Sequence, residues 1–369
     1  MGFMLLFITM AQLDMVHHQV IRSGSGTKSI VISPDGERVY AQNLEDMSVY
    51  EFDRKSRKLL RILRFKKTPG KGYNYRKKIW INSYQEKPVE ACFTHNGRFL
   101  WISLHNAGGV VVWDLKDTLK PIENYPHKRV SLKYMETDYV KTGDLLFIET
   151  GKTPKVIEKS RDGKYLFVAN WHSNNVSVID ISAEDPFTWK KITDIPTGRI
   201  PRGIAVSMDN KLLYIAEMSS DLIRIVEMGT WKTTGFIHAG VNPRHLVIKD
   251  NYLYASINIG GKVAKIDLKA GKVIKSSKTG RLARTLTISP DGKYVFVVSY
   301  RDNILDVFQA DNLKRLYRLK TGYEPVGVAI YQDGNTIEAW VSCYSGRIDI
   351  FTFIRTEVDS MTPSTIIEK

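Results

Sequence analysis

Short apolar runs recur along the chain, and each is followed by a turn and a second apolar run. In the clearest copy, Thr285 to Ser289 precedes Pro290-Asp291-Gly292, and Tyr294 to Ser299 follows. Proline presets the φ of the turn and glycine supplies a positive φ, so this tripeptide favours a tight hairpin. Two further runs, Ile304 to Phe308 and Leu316 to Leu319, bring the predicted strands of this copy to four.

The same phrase occurs seven times, and its spacing predicts the fold. The turn markers are Asp35-Gly36, Asn96-Gly97, Asp162-Gly163, Asp209-Asn210, Asp250-Asn251, Asp291-Gly292 and Asp333-Gly334. From Asp209 onward the spacings are 41, 41 and 42 residues. A period near forty with several short strands per unit is typical of propellers. The sequence therefore predicts an all-β, seven-bladed β-propeller with four-stranded antiparallel blades.

Several passages resemble the YVTN-type bacterial β-propeller repeat family. They are Lys164 to Asn170 with Asn175 to Asp180, and Pro201 to Ser207. The resemblance extends roughly from Lys28 to Phe353 and implies the same seven-bladed fold. It also implies two classes of function, lactonase-like enzymes and surface-antigen-like binding scaffolds, and a shared fold does not decide between them.

The two ends of the chain predict how the ring closes. The seventh copy supplies three strands, the last ending at Phe353, while His17 to Gly24 matches the outer-strand phrase Gly271 to Lys278. We expect the N-terminal segment to complete the last blade, because the blade edge would otherwise be unpaired. The predicted single domain spans residues 17–354, followed by a polar C-terminal tail at 355–369.

Residues 1–16 are interpreted as a signal or leader segment, with a wrongly assigned start as the alternative. Phe3 to Met10 is apolar like the core of a signal peptide, but no Lys or Arg precedes it. Together with the family resemblance, this segment favours an exported protein that is periplasmic, at the cell surface or secreted. No apolar stretch reaches the ~18 residues of a membrane span, so we expect no transmembrane segment, and peripheral membrane association stays open.

Two insertions interrupt the forty-residue period. The first, residues 66–87, contains seven basic residues against Glu86, with aromatic residues between them. It supplies the predicted partner-docking set Tyr73, Tyr75, Arg76, Lys77, Lys78 and Trp80. The second, residues 116–143, is mixed in charge. Long insertions in a compact fold are usually functional or disordered, and a solvated loop is the alternative interpretation of the first.

The predicted strand order brings one set of residues together at one end of the central channel. The innermost strands begin with Lys28, Val89, Lys155, Arg202, Arg244, Arg284 and Val326. The predicted ligand-binding set is Lys28, Lys155, Arg202, Arg244, Arg284, Trp171, His172, Tyr300 and Arg301. Arginine forks suit carboxylate or phosphate. The alternative is that each cation pairs with a carboxylate such as Glu90, Glu217, Asp302 or Glu324, or with carbonyls at the strand ends, and stabilises the ring.

Charge and motifs narrow the function classes. The net charge of +15 favours anionic partners, but no nucleic-acid-binding module is evident, so no specific nucleic-acid partner is expected. No phosphate-binding glycine loop, zinc-protease motif, haem-attachment motif or nucleophile elbow occurs. We therefore predict no cofactor, no metal and no catalytic residue.

The predicted function is a non-enzymatic binding scaffold whose basic face binds an anionic small molecule, a glycan or a protein partner. The alternative is a lactonase-like hydrolase that acts on an acidic or phosphorylated sugar lactone. In that case Glu217 would be the ionisable group, and Arg202 and Arg244 would stabilise the oxyanion.

Overall fold

Strands and turns follow the repeated phrase along the whole chain. The computed structural model describes residues 9–74, 77–116 and 119–359. The first strands are β1 (Thr9–Arg22), β2 (Thr27–Ile32), β3 (Arg38–Asn43), β4 (Ser48–Asp53), β5 (Leu59–Phe65), β6 (Pro69–Asn74), β7 (Ile79–Tyr84), β8 (Pro88–Thr94), β9 (Phe99–Leu104), β10 (Gly109–Asp114), β11 (His127–Tyr134), β12 (Val140–Glu149), β13 (Pro154–Lys159), β14 (Tyr165–Asn170), β15 (Asn175–Asp180) and β16 (Lys190–Pro196).

The second half of the chain continues the same pattern. Its strands are β17 (Pro201–Val206), β18 (Leu212–Glu217), β19 (Leu222–Glu227), β20 (Thr233–His238), β21 (Pro243–Lys249), β22 (Tyr252–Ile257), β23 (Lys262–Asp267), β24 (Lys272–Lys278), β25 (Ala283–Ile288), β26 (Tyr294–Ser299), β27 (Ile304–Gln309), β28 (Arg315–Lys320), β29 (Pro325–Asp333), β30 (Thr336–Cys343) and β31 (Arg347–Asp359). Two single 3₁₀ turns, His95–Gly97 and Pro186–Thr188, are the helical segments of the described residues. Neither could span a membrane.

Seven antiparallel blades surround a central axis, and the first full strand of each repeat lies innermost. The innermost strands β2, β8, β13, β17, β21, β25 and β29 contact one another in that order, and β29 contacts β2. Buried apolar side chains pack between neighbouring blades, as Trp101 of blade 2 and Leu166 of blade 3 do. The seven-bladed β-propeller predicted from the repeat spacing is confirmed.

β1 closes the ring as the outer strand of the seventh blade. It pairs antiparallel with β31, from Thr9 opposite Asp359 to Arg22 opposite Arg347. The predicted closure by the N-terminal strand is therefore confirmed. The paired segment begins at Thr9 rather than His17, and β31 continues to Asp359, into the predicted tail. Residues 1–8 of the predicted leader segment lie outside the described residues.

The second insertion contains a strand that the sequence did not predict. β11 pairs with the outer strand β5 of blade 1 and with the outer strand β12 of blade 2. Blades 1 and 2 thus form one nine-stranded sheet. Val130 and Leu132 alternate with more polar residues and are buried in the core between these blades. This alternation explains why a segment of mixed charge forms a strand here.

Because β1 closes the ring, truncating a buried residue of this strand should destabilise the protein more than truncating an exposed one. Leu13 is buried in the core of the last two blades, whereas Val16 is 51% exposed. We expect Leu13→Ala to lower the free energy of unfolding by about 2–5 kcal/mol, as truncations of buried leucines do. Val16→Ala, the control, should change it by less than about 0.5 kcal/mol. Urea unfolding measures both, and equal effects would contradict the closure.

Candidate anion-binding site at the channel mouth

One hydrogen bond, repeated in all seven blades, shapes the face on which the innermost strands begin, here called the channel mouth. The N–H of the residue after the second strand of a blade donates to the C=O of the residue before its first strand, as Trp171 does to Thr153 at 3.1 Å. In six blades this accepting residue has a positive φ, and only one of the six is glycine. The six are Gly26, Thr153, Ile200, Asn242, Leu282 and Glu324. These left-handed residues turn the chain from one blade into the next.

A β-bulge follows at the start of every innermost strand. The pairing register shifts there in β2, β8, β13, β17, β21, β25 and β29. In β2 the extra residue is Lys28, between Thr27 and Ser29, and in β21 it is Arg244. A bulge removes a side chain from the regular alternation and gives it a new direction. The second residue of each innermost strand occupies this bulge.

The structure brings together the five cations that the sequence predicted. Lys155, Arg202 and Arg244 are buried, with 3–4% of each exposed, and Lys28 and Arg284 are partly exposed. We call Lys28, Lys155, Arg202, Arg244 and Arg284 the cation ring. Burial, followed by repulsion from the three arginines, lowers the pKa of Lys28 to about 7. Burial, followed by repulsion from Arg202, Lys28 and Arg244, holds the pKa of Lys155 well below its usual range.

Glu90 is the carboxylate that faces the cation ring. Its Oε1 accepts a hydrogen bond from Arg202 Nη2 at 2.9 Å. Burial raises the pKa of Glu90, and the surrounding cations oppose that rise. Within the described part of the chain, the other four ring cations form no salt bridge. The predicted alternative, a carboxylate for each cation, therefore holds for Arg202 alone, and positive charge remains in excess.

Aromatic side chains lie against the ring cations. The contacts, measured to the ring centroid, are Arg284 to Tyr300 at 3.7 Å, Lys28 to Tyr344 at 4.4 Å, Lys155 to Trp171 at 4.6 Å and Arg202 to Trp171 at 5.1 Å. Cation–π contacts stabilise a cation without neutralising it. The structure thus places Trp171 and Tyr300 beside the ring, as predicted from the sequence.

Two neighbours of the ring were missing from the predicted set. Tyr344 contacts Lys28, and the Met218 sulfur accepts a hydrogen bond from Arg244 Nη1 at 3.3 Å. Both residues directly follow the second strand of their blade, which is also the position of Trp171. Alignment of the seven repeats at that position would have found them.

Two histidines connect the cation ring with the first insertion. Lys155 Nζ and His105 Nδ1 lie 2.5 Å apart. Burial and the Lys155 charge hold the pKa of His105 well below its usual range, so its imidazole is neutral. The His172 ring contacts Tyr73 and Trp80, with centroid distances of 5.4 and 5.7 Å. His172 therefore lies between the ring and the insertion.

The first insertion folds as the β6–β7 hairpin, beside the ring rather than within it. Lys77 and Lys78 are exposed near its turn. Tyr75 and Arg76, which belong to the predicted docking set, lie outside the described residues. Arg301, from the predicted ligand-binding set, is exposed in the loop after Tyr300.

Glu217 is held by contacts within its own blade. Its Oε1 accepts hydrogen bonds from the Gly198 N–H at 2.8 Å and from Arg224 Nε at 2.6 Å. The lactonase-like alternative required this carboxylate to act beside Arg202 and Arg244. Glu217 is 3% exposed, and it ends the second strand β18, one residue before the position that contacts the ring.

The same contact recurs in two other blades with different carboxylates. Asp306 accepts the N–H of Gly280 at 3.1 Å, and Asp349 accepts the N–H of Gly322 at 2.7 Å. Both aspartates also form salt bridges with arginines, as Glu217 does. Since three blades use this bond, the contacts of Glu217 favour a structural role, and its acid–base role stays a prediction.

Comparisons with known proteins support the fold. A model of the family described as "Lactonase, 7-bladed beta-propeller" matches residues 156–238, which cover blades 3 and 4. Hydrazine synthase subunit beta from Kuenenia stuttgartiensis is 30% identical over 179 residues, 47% of this chain and 46% of that protein. The chain thus aligns with about half the length of this curated relative.

A solved structure shows the likeness over nearly the whole chain. The Kuenenia stuttgartiensis hydrazine synthase structure has a TM-score of 0.64 and 18% identity, and the match covers 91% of this chain and 97% of that one. At this identity the likeness shows the fold alone. The narrower resemblance to YVTN-type repeats stays a prediction. The chain is therefore a seven-bladed propeller with a lactonase-like segment in blades 3 and 4.

The contacts of Glu217 predict the outcome of its removal. Glu217→Ala leaves the Arg224 guanidinium, 17% exposed, without its partner. We expect the free energy of unfolding to fall by about 3–5 kcal/mol, as when one partner of a buried ion pair is lost. Asp306→Ala, the matched variant in blade 6, should behave alike. Unchanged stability with lost hydrolysis of acidic lactones would instead assign Glu217 to catalysis.

Proposed function

We propose that this protein is a non-enzymatic binding scaffold whose channel mouth binds an anionic ligand. The observation that carries the proposal is the cation ring, whose five buried or partly buried cations form, among the described residues, one salt bridge, that of Arg202 with Glu90. Surface charge alone would be a weak argument, because the net charge of +15 is spread over the whole chain. The cation ring is a stronger argument, because its charges are held at equivalent β-bulges around one axis.

The chemistry of the ring suits a carboxylate or a phosphate. Arg244 and Arg284 offer planar forks that can bind two oxygens at once, and Lys28 adds a compact charge. Charge-assisted hydrogen bonds of this kind are about twice as strong as neutral ones. The flat rings of Tyr300 and Tyr344 flank the cations and can contact an apolar part of the ligand. Because the bulges fix the backbone, little ordering is required when a ligand binds.

A protein partner is the second part of the proposal. The relative from Kuenenia stuttgartiensis is by its name a subunit, which supports an interaction role for propellers of this kind. An exported location also belongs to the proposal, and it is supported only by the apolar N-terminal run and the family resemblance.

A lactonase-like hydrolase is the second candidate function. The family match supports it, because residues 156–238 include Arg202 and Glu217. The bonds of Glu217 to Gly198 and Arg224 count against it, since a general base needs access to the substrate. A panel of acidic and phosphorylated lactones distinguishes the two functions, and we expect no turnover by the intact protein.

The anion site predicts the effect of removing two ring cations. Arg244→Gln/Arg284→Gln leaves the Arg202–Glu90 pair intact and removes repulsion within the ring, so the protein should fold and melt at a similar or higher temperature. Inorganic phosphate or citrate should raise the melting temperature of the unaltered protein, because a ligand at a hundred times its dissociation constant adds about 2.7 kcal/mol of stability. The double variant should lose this rise.

Its control is Lys211→Gln/Lys293→Gln, which removes the same charge beside the Asp209-Asn210 and Asp291-Gly292 turns on the opposite face. These exposed lysines should not affect the rise in melting temperature. Loss of folding in the arginine variant, or an unchanged response to both anions, would contradict the anion site.

The lowered pKa of Lys28 predicts a pH dependence of the ligand-free protein. In the folded state the pKa of this lysine is about 7, whereas the pKa of an unfolded lysine is about 10.4. Between these values the unfolded chain holds the extra proton, so stability rises with pH, by at most about 1.4 kcal/mol per pH unit for this group. Urea unfolding at pH 7, 8 and 9 measures the slope.

Lys28→Met should reduce that slope, and Lys272→Met, at an exposed lysine, should not. Saturating phosphate should also reduce it, because a bound anion stabilises the charged form of Lys28. An identical slope in the Lys28 variant and the unaltered protein would show that folding does not lower the pKa of this lysine.

A further inference from the structure

The β6–β7 hairpin is an unusual surface of this propeller. It is a two-stranded sheet, and no third strand of the described chain pairs with either edge. Alternate residues of an antiparallel edge strand direct their N–H and C=O groups away from the partner strand. Such an edge is a template for another strand, and proteins normally shorten, cover or charge it.

Apolar side chains are concentrated on this hairpin. Ile79 is 49% exposed, Trp80 55%, Ile81 40% and Tyr84 40%. They lie within six consecutive residues, all in β7. Ile79 and Ile81 lie on one face of the strand, and Trp80 and Tyr84 lie on the other. Exposed apolar side chains grouped in this way are typical of an interaction site rather than of ordinary surface. Tryptophan and tyrosine are also the residues most often found at the energetic centre of interfaces.

Contacts on both faces hold the hairpin in place. Tyr73 and Trp80 contact His172 of blade 3. Asn106 of blade 2 donates from Nδ2 to the Tyr84 carbonyl at 2.8 Å and to Ser83 Oγ at 3.2 Å. The hairpin is therefore positioned by two neighbouring blades, as a rigid docking element must be.

The base of the hairpin is braced by the second insertion. Glu86 is buried, and its Oε1 forms a salt bridge with Lys128 of β11 at 3.0 Å. Its Oε2 accepts the Thr68 N–H at 2.9 Å. Lys128 Nζ also donates to the Gln85 side chain at 3.0 Å. The only acidic residue of residues 66–87 is thus used internally and neutralises none of the exposed lysines.

The charge of the hairpin identifies the chemistry of its occupant. Five exposed lysines lie on or beside it, and within the described residues none forms a salt bridge with a carboxylate; they are Lys66, Lys67, Lys71, Lys77 and Lys78. A second copy of this chain would bring like charges together, and lysines on an edge strand oppose self-pairing. An acidic strand would instead meet complementary charge.

We propose that the β6–β7 hairpin binds an acidic, extended segment of a partner protein, which adds as a strand to its free edge. Backbone hydrogen bonds would supply affinity, Trp80 and the neighbouring isoleucines would contact alternate apolar side chains, and the lysines would select acidic ones. This inference rests on the proposed scaffold function but not on the cation ring, so the two can fail independently.

The experiment uses labelled synthetic peptides and fluorescence anisotropy. The probe alternates Glu with Val and Tyr, and a second peptide of similar composition carries prolines, which cannot donate to a strand ladder. We expect salt-sensitive binding of the first peptide and at least about tenfold weaker binding of the second. The Arg244→Gln/Arg284→Gln protein should bind the first peptide normally, which separates this site from the anion site.

Matched protein variants locate the contact. Lys77→Glu/Lys78→Glu should weaken peptide binding at least about tenfold, because it reverses two charges at the site. Lys272→Glu/Lys275→Glu is the control: it changes the net charge equally on β24, another edge strand with exposed lysines. Ile81→Ser should weaken binding, and Ile274→Ser, also on β24, should not.

Several results would overturn the proposal. They are no binding of the alternating peptide, equal binding of the proline peptide, or equal effects of the hairpin and β24 variants. Binding to phosphatidylserine vesicles that depends on the hairpin, without any preference among the peptides, would indicate a membrane surface instead. Self-association that Ile81→Ser abolishes would indicate a second copy of this chain.

Discussion

One backbone hydrogen bond determines the shape of the channel mouth. In each blade, the N–H of the residue after the second strand donates to the C=O of the residue before the first strand. At six of the seven blade junctions it is accompanied by a left-handed residue, and Ile200, Leu282 and Thr153 adopt this conformation although it costs roughly 1–3 kcal/mol for such residues. The bond and the following bulge recover part of that cost and fix the next side chain. Because the arrangement recurs around the axis, residues far apart in sequence meet at one place. The cation ring is a consequence of this backbone geometry.

The ring itself opposes folding, because it gathers like charges in a partly dry space. The pKa values of Lys28 and Lys155 are lowered first by burial and then by that repulsion. The fold tolerates it because its stability comes from elsewhere, from the apolar cores between blades and from carboxylate–arginine pairs such as Asp306 with Arg318. An anion at the mouth would relieve the repulsion without any movement of the backbone. The free energy of this repulsion is therefore part of what a bound anion can recover.

Repetition explains both what the sequence predicted and what it did not. Seven aligned phrases fixed the blade count, the ring closure and the five cations, since each of these depends on position within the repeat. The bonds of Glu217 to Gly198 and Arg224 could not be predicted, because they depend on contacts within the folded blade. β11 was missed because its short apolar alternation lies in a charged insertion, and its partners β5 and β12 are fixed by tertiary pairing. Composition identified residues 66–87 as a docking segment but not as a hairpin, and the anchors of the hairpin at Asn106 and His172 depend on contacts between blades.

The two insertions form one structural unit, and this unit lies against the cation ring. β11 joins blades 1 and 2 and supplies Lys128, which holds Glu86 at the base of the hairpin. The hairpin in turn contacts His172, whose Nδ1 lies 2.6 Å from the Thr153 hydroxyl. Thr153 is the left-handed residue of blade 3, two positions before Lys155. A chain of packed contacts thus leads from the hairpin to the backbone that positions a ring cation. If binding at one site changes the affinity of the other site through these contacts, linkage requires the reverse effect to be the same factor.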